Sequence, residues 1–315
     1  MTILDQKYAF AKSEVERLGI SSEYPFSPNY LSTPMGAMHY VDEGEGHPIL
    51  AMHGNPTWSF LYRKFITELS GDYRVVVPDH IGFGLSDKPE DVEQYTIEAH
   101  IQNIEYLMEK LDLNNVTLIV QDWGGPIGLG AAARHPKRIK AIVVLNSFGF
   151  YPLSDQHDPE NVKLPPPLVM MRTKFPGAMM VRNMGMFERM AMPTAVARGD
   201  RLKAVKKAYT GVFQSSKDRA GVLAFPRLIP TRTQHPSAKI LINETGPYLE
   251  NFKGPAHIFW GMEDPFFPVE ALETWQKKLP QAGVTQLAEA KHYIQEDAYE
   301  DILPELRVFL NNTYQ

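Results

Sequence analysis

One run in this chain has residue types that could do covalent chemistry: Val116-Thr117-Leu118-Ile119-Val120-Gln121-Asp122-Trp123-Gly124-Gly125-Pro126. The apolar residues Val116 to Val120 read as a strand buried on both faces. The run stops at a carboxylate, and glycines then open what should be a helix. A strand that turns sharply into a helix through glycines lifts the turn residue clear of the sheet, where it can act as a nucleophile. Here that residue is Asp122, where an ester hydrolase would carry serine. The plainer reading is that Asp122 caps the helix, since Asp is favoured at that position. The rest of the chain decides between them.

A carboxylate nucleophile selects its substrate. Serine attacking a saturated carbon would leave an ether, which a histidine-activated water cannot readily cleave. A carboxylate leaves an alkyl ester, which water opens at its carbonyl, so one difficult step becomes two easier ones. Asp122 therefore points to displacement at an sp3 carbon, with alkyl halides, epoxides and strained lactones as candidates. The other loops that follow apolar strands supply the partners: His53-Gly54-Asn55-Pro56-Thr57-Trp58, Gly261-Met262-Glu263-Asp264-Pro265 and Ala290-Lys291-His292-Tyr293. Ligands gather at such carboxyl ends of strands. Nucleophile, acid and histidine follow one another in the order expected of a triad built on this turn. A lone aspartate or histidine would be structural, but three in order at successive strand ends argue for catalysis. His292 is the expected general base, with Asp264 orienting its ring and stabilising the imidazolium. The backbone N–H groups of Asn55 and Trp123 are placed to hold the oxyanion of ester hydrolysis.

The leaving group narrows the choice. A halide departs as a bare anion that needs N–H donors and no proton. The Trp123 indole and the Asn55 side-chain amide supply such donors. An epoxide oxygen wants a general acid, commonly a pair of tyrosines, and between residues 151 and 230 only Tyr151 and Tyr209 are available. Tyr209 sits in a charged helix where a surface or packing role is expected, so halide is favoured. His53 and His80 read as structural and His257 as core. Lys291 and the run Lys203 to Lys207 read as solvated charge. Glu263 is a poorer acid candidate than Asp264.

The elements that must position these residues alternate. Strands are expected at Met38 to Glu43, Pro48 to Met52, Tyr73 to Pro78, Val116 to Val120, Ile139 to Leu145, Ala256 to Gly261 and near Val284 to Leu287. Helices are expected at Trp58 to Leu69, Ile97 to Leu111, Ile127 to Arg134, Val269 to Leu279 and Ile302 to Leu310. This rhythm implies a largely parallel sheet covered on both faces, with the first strands close enough in sequence to pair antiparallel. From Tyr151 to Pro230 strands vanish, prolines cluster and methionines abound (Met170, Met171, Met179, Met180, Met184, Met186, Met190 and Met192). Ordinary helical packing accounts for most of that. The sharper reading is a helical lid whose inner face lines an adaptable apolar pocket. The expected division is therefore core over 1–150, cap over 151–230 and core again over 231–315.

Composition bounds the class. With 315 residues, 43% apolar content and net charge −5, the chain can bury one large core. No long basic run suggests nucleic acid or an anionic membrane surface. The absence of cysteine excludes disulfides, thiolate metal sites and a cysteine nucleophile. No stretch reaches the length of a membrane span or has the form of a signal peptide, so a cytoplasmic location is expected.

The stretches His53-Gly54-Asn55-Pro56-Thr57-Trp58-Ser59, Pro78-Asp79-His80-Ile81-Gly82-Phe83-Gly84-Leu85-Ser86-Asp87-Lys88-Pro89 and Gln121-Asp122-Trp123-Gly124-Gly125 resemble haloalkane dehalogenases. The resemblance runs through both core segments and fades in the cap. It implies an α/β-hydrolase fold: a mostly parallel eight-stranded sheet flanked by helices, with an inserted helical cap. It also implies no cofactor or metal, and hydrolysis of a small apolar halogenated alkane with water to alcohol, halide and a proton. Where some members carry glutamate after the sixth strand this chain has Asn146, so the acid falls to Asp264. Where others place a second tryptophan in the cap, this cap has none: the four are Trp58, Trp123, Trp260 and Trp275. Asn55 is then the second halide donor beside Trp123. The same five residues, with Arg138-Ile139-Lys140-Ala141-Ile142-Val143-Val144-Leu145-Asn146, also resemble β-lactone decarboxylases of bacterial hydrocarbon biosynthesis. In those enzymes an aspartate attacks a strained lactone and carbon dioxide leaves as an olefin forms. The methionine-rich cap fits a long apolar substrate at least as well as a small one. A non-catalytic binding protein on this fold is the third reading, and the intact Asp122, His292 and Asp264 set speaks against it.

Overall fold

The computed structural model describes residues 3–154 and 157–315. Eight strands form one sheet: β1 (Asn29–Thr33), β2 (Gly36–Glu43), β3 (Pro48–Met52), β4 (Arg74–Pro78), β5 (Val116–Asp122), β6 (Ile139–Ser147), β7 (Ala256–Gly261) and β8 (Gly283–Leu287). Their spatial order is β1-β2-β4-β3-β5-β6-β7-β8. β2 runs antiparallel to both β1 and β4, and every other neighbouring pair is parallel. The sheet is thus mostly parallel, as the alternation predicts.

The antiparallel part differs from the expectation in its pairing. β2 and β3 are adjacent in sequence but do not pair, because β4 lies between them. The crossover through Ser59–Tyr62 and Arg63–Leu69 returns the chain so that β4 runs parallel to β3. That crossover begins as a 3-10 turn and becomes α-helical only at Arg63, so the single helix expected from Trp58 is two segments.

β5 and β7, which carry Asp122 and lead to Asp264, are buried at every residue. Helices cover both faces, as such a sheet requires. The helix Ile97–Lys110 is capped by the Thr96 hydroxyl, which accepts from Ala99 N at 3.0 Å, and it buries Ile97, Ile101, Ile104, Leu107 and Met108. Each fully buried side chain of this size contributes roughly 1.5–3 kcal/mol. The last two core helices, Val269–Lys278 and Tyr299–Tyr314, follow the expected positions, the second extending further at both ends.

Between β6 and β7 the chain forms the short helices Pro166–Met171, Gly177–Arg182 and Met192–Thr194, then the longer Gly199–Thr210 and Ala220–Leu228. It returns through Pro236–Ile240 and Gly246–Asn251. The methionines here divide. Met171 and Met192 are buried, whereas Met179, Met184 and Met190 are 43%, 50% and 52% exposed. Three of the eight methionines therefore face outward, while Met170, Met180 and Met186 are half-buried. No described helix is long and apolar enough to cross a membrane.

Candidate active site

β5 ends at Asp122 with φ +49°, a left-handed conformation that strains a residue with a side chain. The strain turns the carboxylate out of the strand just before the helix Gly124–Arg134 begins. Glycines make room for this turn. A Cβ on Gly54 would lie 2.1 Å from Asp122 Oδ1, and one on Gly124 would lie 2.2 Å from the Met52 carbonyl oxygen. The helix therefore starts at the first glycine, three residues before the Ile127 expected. Asp122 is not its cap. Trp123 holds that position without a side-chain bond, and the Asp122 carboxylate turns to other partners.

Asp122 Oδ1 accepts from the backbone N–H of Asn55 at 2.8 Å, and the Trp123 N–H also reaches the carboxylate. Asp122 Oδ2 lies 3.7 Å from His292 Nε2. The other ring nitrogen of His292, Nδ1, donates to Asp264 Oδ2 at 2.8 Å. The Asp264 side chain is fully buried, and Oδ1 accepts from the N–H groups of Phe266 and Phe267 at 2.7 and 3.1 Å. With Nδ1 carrying hydrogen, neutral His292 presents an Nε2 lone pair beside Asp122. Burial alone would lower the His292 pKa, but the Asp264 and Asp122 carboxylates outweigh it and hold it above 6.5. Burial raises Asp122 above its usual 3.8, against the pull of His292 and the two backbone N–H groups.

The Asn55 side chain belongs to the same residue whose backbone N–H meets Asp122. Its Nδ2 is 3.4 Å from the Val222 carbonyl oxygen, so one of its two N–H bonds stays available. Among the described residues the Trp123 indole N–H has no protein acceptor. The Trp123 ring meets Phe148 and Phe225 edge-on at 5.2 and 5.1 Å. Phe148 continues to Phe267, and Phe267 to His292, at 5.7 and 5.3 Å. The carboxylate thus sits beside a chain of aromatic rings that keeps water scarce, which strengthens every charge interaction there.

The other expectations resolve individually. His53 Nδ1 donates to Gly54 O at 2.9 Å and its Nε2 accepts from His80 N at 2.9 Å, while His80 Nε2 donates to His53 O at 3.0 Å. Both histidines are structural. Desolvation holds His53 at about 4, so it stays neutral. His257 is buried and bonded to Thr285, and Glu263 is exposed. Tyr151 donates to Pro159 O at 2.6 Å and Tyr209 to the Glu296 carboxylate, so neither hydroxyl serves Asp122. Tyr209 is fully buried despite its charged helix.

Two polar residues have contacts that the sequence did not announce: Asn146, noted only as standing in place of glutamate, and Gln121. Asn146, at φ +41°, donates to Asp264 Oδ2 at 2.7 Å and accepts from Gly261 N at 2.7 Å. Gln121 places its side-chain amide 3.0 Å from His292 Nε2. The available signal was a polar residue at the end of an otherwise apolar buried strand. The cap segment adds a further tie. The N–H groups of His292 and Tyr293 both donate to Ala195 O, at 3.1 and 3.3 Å. The Asp297 carboxylate accepts from the N–H groups of Ala197, Arg198 and Lys291 at 2.8–3.0 Å.

A family model described as the alpha/beta hydrolase fold matches residues 47–299. The chain belongs to the α/β-hydrolase family. Among its relatives is a cis-3-alkyl-4-alkyloxetan-2-one decarboxylase of Shewanella oneidensis, 37% identical over 92% of this chain and 90% of the relative. A haloalkane dehalogenase of Mycolicibacterium paratuberculosis is 35% identical over 87% of this chain and 89% of its own length. The solved structure of the haloalkane dehalogenase DpaA from Paraglaciecola agarilytica superimposes with a TM-score of 0.73 at 27% identity, covering 93% of this chain and 95% of that one. In this α/β-hydrolase the residue at the turn from β5 into the following helix is a carboxylate, Asp122.

Proposed function

We propose that the protein is a haloalkane dehalogenase, with residues 1–150 and 231–315 as core, residues 151–230 as cap, and its work done in the cytoplasm. The observation that carries this reading is Asp122, a strained carboxylate 3.7 Å from His292 Nε2 with Oδ1 on the Asn55 backbone N–H. In the first step Asp122 Oδ2 attacks the halogen-bearing carbon. The carbon–oxygen bond forms as the carbon–halogen bond breaks, and the halide leaves towards the Trp123 indole and Asn55 amide N–H groups. In the second step His292 takes a proton from water, which attacks the ester carbonyl. The oxyanion is held by the Asn55 and Trp123 backbone N–H groups. Collapse breaks the ester bond as His292 returns its proton to the departing alkoxide, and the Asp122 carboxyl then loses a proton to water. Asp264 keeps the base in the productive tautomer. Relatives and a solved structure bearing the dehalogenase name support this reading, and the commitment of both cap-segment tyrosine hydroxyls elsewhere weighs against epoxide opening.

A second reading has its own support in relatives named for oxetanone decarboxylation, at 37% and 35% identity. There Asp122 would open the lactone at its ring carbon, and carbon dioxide would leave as the aspartate ester bond broke to the olefin. No water is consumed, so His292 would not act as base towards water. A parallel assay with 1-bromohexane and a cis-dialkyl oxetanone separates the two. Bromide release with alcohol supports the first reading, and olefin formation without bromide release replaces it with the second.

A further inference from the structure

Exposed apolar surface is unevenly spread over this molecule. Of the eleven large apolar side chains exposed among the described residues, five lie within one short stretch: Val169, Phe175, Met179, Met184 and Met190. From Asn161 to Ala197 the chain holds five cationic residues (Lys163, Arg172, Lys174, Arg182 and Arg189) and one carboxylate, Glu188. Glu188 is buried and paired with Arg219 at 2.6 Å, so no carboxylate of this stretch faces outward. Lys163, Lys174 and Arg189 are exposed and make no ion pair among the described residues. The chain as a whole carries −5, so the sign here opposes that of the remainder, and the whole-chain sum hides it.

The tip of this face is firmly built. Thr173 Oγ1 donates to Met170 O at 2.8 Å and accepts from Gly177 N at 3.0 Å, closing the turn between Pro166–Met171 and Gly177–Arg182. Arg172 anchors the root of the turn by donating to Pro226 O and Ile229 O, each at 2.7 Å. Phe175 projects from the turn at 76% exposed, with Lys174 beside it. Apolar patches with a charged rim mark interaction surfaces. A projecting phenylalanine, exposed methionines that adapt to any apolar neighbour and three exposed cationic side chains in the same stretch match a fluid apolar partner with a negative surface.

We propose that this face docks on anionic phospholipid bilayers, with Phe175 and the methionines in the interface and Lys163, Lys174 and Arg189 against lipid phosphates. The inference does not depend on which reaction the site performs, although either substrate is an alkyl compound that dissolves in such a layer.

The test is flotation of the full-length protein with vesicles of phosphatidylcholine alone and of phosphatidylcholine mixed with phosphatidylserine. The protein should float with the mixed vesicles only, and rising salt should release it. Phe175→Glu should weaken partitioning about tenfold or more, and Lys174→Glu about fivefold or more. Neither residue touches Asp122 or its partners, so bromide release from 1,2-dibromoethane in solution should be unchanged, which keeps this outcome separate from that of the catalytic assay. Failure of the unmodified protein to float with phosphatidylserine vesicles would overturn the proposal, as would undiminished binding by Phe175→Glu. Concentration-dependent self-association that Phe175→Glu abolishes, with no vesicle binding, would assign the face to contact between copies and overturn it equally.

Discussion

The strand ends and the segment above them are built on opposite plans. Around Asp122 the polar groups are placed by strand ends and tied by short bonds: Asp264 alone accepts from Phe266, Phe267, Asn146 and His292. From Val169 to Met190 the helices are short, and large apolar side chains face outward. The first region holds its polar groups by several bonds each, as a site that depended on near-attack geometry would require. The second tolerates change because its outer face packs against nothing within the chain. Substitutions should therefore fall in effect from one region to the other.

Asp122→Ala is the most severe test, since it removes the proposed nucleophile. Turnover should drop by at least about 10⁴-fold with thermal stability retained, and steady-state halide release measures it. His292→Phe comes next. Displacement needs no base but hydrolysis does, so an alkyl adduct should accumulate on Asp122 and appear by intact mass after brominated substrate. In the unmodified enzyme the hydrolytic step should gain with pH through a pKa above 6.5, because only neutral His292 can take the proton. An unmodified mass in His292→Phe would break the two-step order.

Asn55→Ala keeps the backbone N–H but loses the side-chain donor, and should slow halide displacement about 10- to 100-fold in single-turnover measurements. Asn146→Ala should cost about 1–3 kcal/mol in denaturant unfolding, because it strands a buried N–H of Gly261 and takes a donor from Asp264. At the other end of the scale, Met184→Ser should change stability by less than about 0.5 kcal/mol. A large loss there would erase the contrast between the two regions.

The same contrast decided what could be read from sequence. Asp122, Asp264 and His292 were legible because each ends or follows an apolar strand, where the backbone dictates position. β7 runs over the residues expected, Ala256–Gly261, because a mainly apolar run broken only by His257 and preceded by Gly254-Pro255 admits few alternatives. β1 was missed because it is an edge strand whose five residues are mostly half-exposed, leaving little alternation. The helix Ile3–Leu18 was missed because charged residues interrupt its apolar side. Asn146 reaches Asp264 across 118 residues, a tie that no local pattern announces. The outward methionines were illegible for a different reason. Helices of about six residues make under two turns, too few for periodicity to separate inside from outside.

The bonds from the His292 loop to Ala195, and from Asp297 to Ala197 and Arg198, have a mechanical consequence. In the proposed mechanism His292 takes the proton, so any displacement of residues 195–198 would be felt at its ring, and this seam is expected to stay closed during turnover.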